Sequence, residues 1–208
     1  MAGLKHAIDF LLLLALTTSP TANAGDPDII SDFIPPAGNA SAVDGSYFTY
    51  TGFRQVISPE GAPSTFTVVK ATRMEFPALK DQSVSLATLL FPAGAVNPPH
   101  TQPRSAELLF LVMGTLQVGF VNSTNRLYTQ TLQPGDLFVF PKGLVHYQFA
   151  TGPEPAVAIF ALGSSSAGMV SIPNSVFGSG IDDVVLAKSF KTDVATIQKV
   201  KAGLAVRA

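Results

Sequence analysis

The sequence contains no cysteine and no tryptophan, and only 13% of its 208 residues are Asp, Glu, Lys or Arg. Without cysteine the protein has no catalytic thiol, no iron–sulfur cluster, no thiolate zinc site and no disulfide. Lys and Arg number 13 against 14 for Asp and Glu. This near-balance provides no basic surface for nucleic acid or for an anionic membrane, so neither is a predicted partner.

Apolar residues and turn formers dominate what is present. The chain is 47% hydrophobic, with 17 Gly, 16 Pro and 15 Phe. Such a composition excludes disordered and low-complexity classes. The length fits one domain, and the many turn residues favour short strands over long helices.

The N-terminus has the layout of a secretory signal peptide over residues 1–24. Lys5 lies in a short basic region, an apolar run follows at 10–16, and Ala22-Asn23-Ala24 precedes a predicted cleavage before Gly25. The alternative, a membrane anchor, is disfavoured because the run is far shorter than the roughly 20 apolar residues that span a bilayer. We therefore predict a secreted protein.

Two tripeptides match the acceptor sequence for N-glycosylation, which fits an exported chain. They begin at Asn39 and Asn122, both in polar stretches typical of turns. We predict glycosylation at Asn39 and Asn122, which requires an exposed asparagine.

A single domain is predicted after the signal peptide, with an irregular arm at 25–61, a barrel at 62–178 and C-terminal helices at 179–208. Short runs rich in Val, Leu, Phe and Tyr, separated by turn signals, indicate an all-β sandwich or barrel. The predicted strands cover residues 83–91, 106–112, 115–121, 126–132, 136–140, 145–149 and 156–162.

Two short helices are predicted near the C-terminus, where the apolar period changes from two to about 3.6. Asp182-Asp183 is a capping signal for the first helix and Asp193 for the second. The second helix carries one apolar stripe, made of Val194, Ile197, Val200 and Leu204.

Only two histidines remain after the signal peptide, His100 and His146. If residues 100–102 are extended, His100 and Gln102 point to the same sheet face, because the side-chain period of a strand is two. Glu107 begins the next predicted strand, so four donors could converge in a barrel mouth and hold Mn, Fe or Zn. The alternative is that each histidine is a solvated loop residue or a hydrogen-bonded core residue.

Several long motifs resemble the germin and germin-like proteins, secreted plant members of the cupin superfamily. The matching runs are Asp32-Phe33, Asn97-Pro98-Pro99-His100, the segment 114–120, the box 135–146 and the tails 174–179 and 183–190. The resemblance implies a cupin jelly-roll barrel, a homohexamer built as a trimer of dimers, an apoplastic location and a bound manganese ion.

Carried over residue by residue, the resemblance implies that His100, Glu107 and His146 are three of the four family metal ligands. Gln102 stands where the family has the fourth, a histidine, and its neutral amide is a weaker donor than imidazole. We therefore expect a weakened metal site, with manganese as the first candidate and iron or zinc as alternatives.

Other family positions also differ. Asn97 is kept and is a candidate substrate-binding residue, whereas Ala87 and Ala150 stand where the resemblance places polar asparagines. Ile34 occupies the place of a family cysteine, so the arm lacks its disulfide.

Two functions follow as hypotheses. The first is a secreted metal-binding protein without oxalate oxidase activity, with a storage, receptor-like or defence role in the cell-wall space. The alternative is a metal-dependent oxidoreductase, acting on superoxide or oxalate. The sequence does not identify a small-molecule ligand.

Overall fold

The structure, a computed structural model, describes residues 25–36, 43–56 and 64–205. Within these ranges, ten strands form two five-stranded antiparallel sheets that face each other. In the first sheet the order is β1-β2-β9-β4-β7, and in the second it is β10-β3-β8-β5-β6. The strands are β1 Thr67–Ala71, β2 Ser85–Phe91, β3 Val96–Thr101, β4 Glu107–Met113, β5 Leu116–Val121, β6 Leu127–Leu132, β7 Leu137–Phe140, β8 Val145–Ala150, β9 Ala156–Leu162 and β10 Val170–Ser171.

This architecture confirms the predicted all-β jelly roll, and each of the seven predicted strands has a counterpart. The core lies between the sheets and is filled by alternate side chains of the strands. Its largest fully buried members are Leu89, Phe91, Leu109, Leu111, Leu116, Val118 and Phe140. Strand β9 shows the pattern most clearly, because every second residue from Ala156 to Leu162 is buried.

Strand β3 was not predicted as a whole, because Pro98 and Pro99 lie inside it and proline cannot donate to a sheet ladder. The structure accommodates both prolines in a β-bulge. Asn97 pairs with Gln148 and His100 with His146, so the register shifts between the two pairs. In a regular strand, residues three apart face opposite sides, but the bulge turns both Asn97 and His100 into the barrel.

Three helices follow the barrel: α1 Ile172–Phe177, α2 Asp183–Ser189 and α3 Val194–Ala205. The last two match the prediction, and the Asp182 side chain caps α2 by accepting from the backbone N–H of Val184 and Val185. Helix α1 was missed, since it has only six residues, carries Pro173 in its first turn and lies inside the range assigned to the barrel.

The apolar stripe of α3 is partly buried and partly exposed to solvent. Ile197 is 2% exposed and packs with Leu186 and Ala187 of α2, whereas Val194 and Val200 are exposed. The helices therefore bury one part of the stripe among themselves and leave another part open.

The signal-peptide prediction falls on residues 1–24, and the sequon at Asn39 falls within 37–42; both lie outside the described residues. In the part that is described, the arm contains no strand and one short 3₁₀ helix, Gly52–Val56. None of the helices in the described part of the chain has the length and hydropathy of a membrane span.

Asp26 attaches the start of the arm to the barrel. Its carboxylate accepts hydrogen bonds from the Ser164 hydroxyl at 2.6 Å and from the backbone N–H groups of Ser165 and Ser83 at 2.7 and 3.1 Å. Burial alone would raise the pKa of Asp26, but the bonds from these serines outweigh it and hold the pKa below its ordinary value. These contacts fasten the arm in a chain that has no disulfide.

Replacing Asp26 with alanine should lower the free energy of unfolding by about 2 kcal/mol, the scale of hydrogen bonds to a charged group. The exposed Asp28→Ala variant is the matched control. A depressed carboxyl pKa adds stability above the unfolded value, 3.8, and loses it as the pH falls through the folded value. Urea titrations should therefore show a difference at pH 6 that shrinks below about pH 4; a difference independent of pH would contradict this role.

Candidate metal centre

Three buried side chains from both sheets converge inside the barrel. His100 and His146 pair directly across β3 and β8, and Glu107 reaches them from the first position of β4 in the opposite sheet. One ligand atom from each lies within 4.8 Å of the others, and no residue of the three is more than 2% exposed. The structure therefore brings together three of the four predicted donors, and their role as ligands stays a prediction.

Each histidine ring is oriented by a backbone carbonyl two residues earlier. The Nδ1 atom of His100 lies 2.8 Å from the Pro98 oxygen, and that of His146 lies 2.9 Å from the Leu144 oxygen. Because a carbonyl only accepts, Nδ1 carries the proton in both rings, which leaves the Nε2 lone pair free for a cation.

The environment of these rings suits a metal ligand better than a core hydrogen bond. His146 Nε2 is buried without a hydrogen-bond partner among the described residues, although Glu107 Oε2 lies 3.5 Å away. Burial, together with the neighbouring His146 and against the opposing effect of the Pro98 carbonyl, lowers the pKa of His100 to about 4. His100 is thus neutral at mildly acidic pH and can bind a cation without first losing a proton.

Gln148 positions the only carboxylate of the cluster. It is fully buried, and its Nε2 atom donates to Glu107 Oε1 over 3.1 Å. Its Oε1 atom accepts from Asn97 Nδ2 over 2.7 Å. This chain of amides holds Glu107 so that Oε2 faces His146. Gln148 was not among the predicted site residues, although its spacing of two from His146 on one strand was an available signal.

A cavity of about 290 Å³ opens beside His100. Asn97, Gln102 and Ala87 line it, so three of the positions that the sequence analysis singled out share one space. Gln102 is 5% exposed, and no hydrogen bond of its side chain is found among the described residues. Strand β3 ends at Thr101, so Gln102 lies one residue beyond the extended segment and shares the cavity lining with His100. Ala150 is buried in the apolar core and is not part of the cavity lining.

The remaining predicted site residue, Asn122, lies in the turn between β5 and β6. Its Oδ1 atom accepts from the backbone N–H groups of Thr124 and Arg126, and the side chain is half-buried. The turn position agrees with the prediction, but the side chain is less exposed than expected because its Oδ1 atom is held by the turn backbone. Glycosylation of Asn122 stays a prediction.

The donor set fits a divalent cation. Two imidazoles and one carboxylate in a protein interior suit manganese, iron or zinc, and the amide of Gln102 lies in the adjoining cavity. An unpartnered buried Nε2 atom, which costs free energy when nothing binds it, supports the same assignment.

Comparisons with known proteins support the fold described above. The Cupin family profile matches residues 56–198. Germin-like protein 9-3 of rice (Oryza sativa subsp. japonica) is 58% identical over 208 residues and covers 97% of both chains. Germin-like protein 9-1 of rice is 50% identical over 205 residues, covering 97% of this chain and 82% of that protein. A solved oxalate oxidase in complex with the substrate analogue glycolate matches 88% of this chain and 100% of its own, with a TM-score of 0.78 and 26% identity.

Proposed function

Because this chain belongs to the germin-like proteins of the cupin family, we propose that it is a secreted manganese-binding cupin without oxalate oxidase activity. Its place of action is the extracellular space of a plant, the apoplast, in storage, receptor-like, defence or other cell-wall processes. The signal-peptide pattern of residues 1–24 supports secretion. Sequencing the N-terminus of protein collected from a plant secretion host tests it, and Gly25 is the expected first residue.

The buried cluster of His100, Glu107 and His146 carries the proposal of a metal site. These three residues would hold the ion, with the Gln102 amide oxygen beside them as a weaker fourth donor. A bound divalent ion would supply a Lewis acid in a water-poor site. The chain itself supplies the geometry: two backbone carbonyls fix the imidazole rings, and Gln148 fixes the carboxylate.

Two features of the cavity argue against oxidation of oxalate. Ala87 contributes only a methyl group where the family resemblance expects a positioning asparagine. Gln102 replaces an imidazole, which weakens the hold on the metal to which a dianion would bind. Each loss is comparable to removing a supporting group of a metal site, which costs roughly 10–100-fold.

The manganese-loaded protein should release no oxalate-dependent hydrogen peroxide above background in a peroxidase-coupled assay. The double variant Ala87→Asn/Gln102→His, which restores both groups, is the informative comparison. Turnover by the wild type at even about 1 s⁻¹, a slow but ordinary enzymatic rate, would contradict the proposal.

A metal-dependent oxidoreductase remains the second candidate, because two histidines and one carboxylate also form the facial set of non-haem iron enzymes. Superoxide dismutation is the activity to test. A rate that follows the bound metal across preparations, and that is lost in His146→Ala, would favour this candidate.

Homo-oligomerisation is supported by two separate apolar surfaces. The outer face of the first sheet carries exposed apolar side chains in adjacent cross-strand pairs, Leu108 with Val139 and Phe110 with Leu137, each between 40% and 61% exposed. Contiguous apolar surface of this kind marks an interface. Val194 and Val200 of α3 are a second exposed site. A hexamer built from dimers needs two different interfaces, which these surfaces can provide.

Replacing Phe110 with glutamate should shift the particle to smaller species, because it introduces a charge into the apolar outer face. Phe110→Leu keeps the face apolar and is the matched control. Multi-angle light scattering gives the mass of each variant. If Phe110→Glu has the same mass as the wild type, this face is not an interface.

A further inference from the structure

The cavity beside the metal centre has apolar walls and a polar inner end. Its walls include Val68, Leu89, Phe160 and Leu162. The polar groups at its inner end belong to Asn97, His100 and Gln102. A ligand that fits must therefore carry apolar atoms along most of its length. Oxalate, which consists of two carboxyl groups, has none to place against these walls.

Ala87 makes the wall continuous. It pairs with Lys70 of β1 on one side and with Phe160 of β9 on the other, and directly opposed residues of antiparallel strands point to the same face. These three residues form a row across the sheet, from the Lys70 ammonium at the exposed edge, past the Ala87 methyl group, to the buried ring of Phe160. In the described part of the chain, this row has no polar group between Lys70 and Phe160, and the polar lining residues Thr72 and Ser166 belong to neighbouring segments.

The mouth of the cavity carries compensating charges. Lys70 and Glu75 both line it. Burial would raise the pKa of Glu75, but hydrogen bonds from the backbone and the hydroxyl of Thr72, with a contribution from the Lys70 charge, lower it. Glu75 therefore stays anionic beside Lys70. If a dicarboxylate ligand placed its second carboxylate at the mouth, repulsion from Glu75 would offset the attraction to Lys70, so this group would add little binding free energy.

From this arrangement we propose that the cavity binds a monocarboxylate with a small apolar body, either a branched aliphatic chain or a single ring. The carboxylate lies toward His100 and Gln102, and the body contacts Leu89 and Phe160. This inference rests on the proposed metal site: a divalent ion held by Glu107 retains one positive charge, which one carboxylate neutralises. The cavity volume of about 290 Å³ suits a compact ligand.

Isothermal titration calorimetry on the manganese-loaded protein tests the ligand class, with benzoate and isovalerate as probes. Acetate, which lacks an apolar body, and the dicarboxylates succinate and oxalate are the comparisons. We expect benzoate or isovalerate to bind at least about tenfold more tightly than any of the three. Tighter binding of oxalate or succinate, or equal binding of acetate, would overturn the proposal.

Two variants test the residues. Ala87→Asn should weaken benzoate binding at least about tenfold by placing an amide in the apolar wall, while the exposed Ala195→Asn should leave it unchanged. Glu75→Gln keeps an acceptor for Thr72 but removes the compensating charge, so succinate should gain affinity relative to benzoate. If neither Ala87→Asn nor Glu75→Gln changes the preference among these ligands, the proposal is overturned. Should Ala87→Asn fail to fold, Glu75→Gln alone still tests the proposal.

The metal content of each sample separates this inference from the proposed function. If manganese-loaded protein does not bind benzoate, the proposed ligand class is wrong, whereas the proposed metal site is unaffected. Benzoate binding by metal-free protein would support the ligand class and overturn its dependence on a metal. A sample with neither metal nor binding would overturn both.

Discussion

Replacing Glu107 with glutamine should lower the affinity for Mn²⁺ by at least about a hundredfold, or about 2.7 kcal/mol. Glu107 supplies the only carboxylate of the buried cluster, and its charge attracts the cation most strongly where water is excluded. Glutamine has nearly the same shape and keeps an oxygen that can accept from Gln148, so the change removes charge rather than packing. Competition with a fluorescent chelator measures the affinity.

The same variant separates a metal-binding role from a structural one. A neutral amide avoids the cost of burying a charge, so the metal-free variant should unfold at the same temperature as the wild type or higher. Glu154→Gln, at an exposed carboxylate, is the control. Unchanged Mn²⁺ affinity, or a fall in Tm of more than about 4 °C, roughly 1 kcal/mol or more, would contradict the ligand role.

Replacing Gln102 with histidine should raise the affinity for Mn²⁺ at least about tenfold, near 1.4 kcal/mol. The new imidazole would stand one residue after β3 ends, in the cavity lining that Gln102 already shares with His100. Gln130→His, at an exposed position of β6, controls for adventitious binding by a surface histidine. Equal retention of Mn²⁺ by wild type and Gln102→His in equilibrium dialysis would show that the amide already serves as an adequate ligand or does not face the centre.

The sequence predicted the elements whose signals are local. Strands with alternating apolar residues were found, because a half-buried strand repeats with a period of two, and Asp182 marked the start of α2 by its capping side chain. The histidines stood out because only two follow the signal peptide, and Glu107 because it begins the next predicted strand. Their convergence was expected from these strand positions, and the packing of the two sheets now shows it for His100, Glu107 and His146.

The elements that were missed depend on tertiary context. Strand β3 contains two prolines, and only its pairing with β8 shows that a bulge keeps Asn97 and His100 on one face. Gln148 looked like an ordinary strand residue until the fold placed its amide between Asn97 and Glu107. Asp26, in a segment read as an irregular arm, gained its role from loops more than fifty residues away.

Elemental analysis of secreted protein, purified after manganese supplementation, tests the central claim most directly, because it counts metal ions per chain. The wild type should contain close to one divalent ion per chain, mostly manganese. The double variant His100→Ala/His146→Ala, prepared in parallel and shown to be folded by circular dichroism, should contain less than about one per ten chains, because two of the donors are removed. Fewer than about one ion per ten wild-type chains, or equal metal content in the two proteins, would contradict a metal centre at His100, Glu107 and His146.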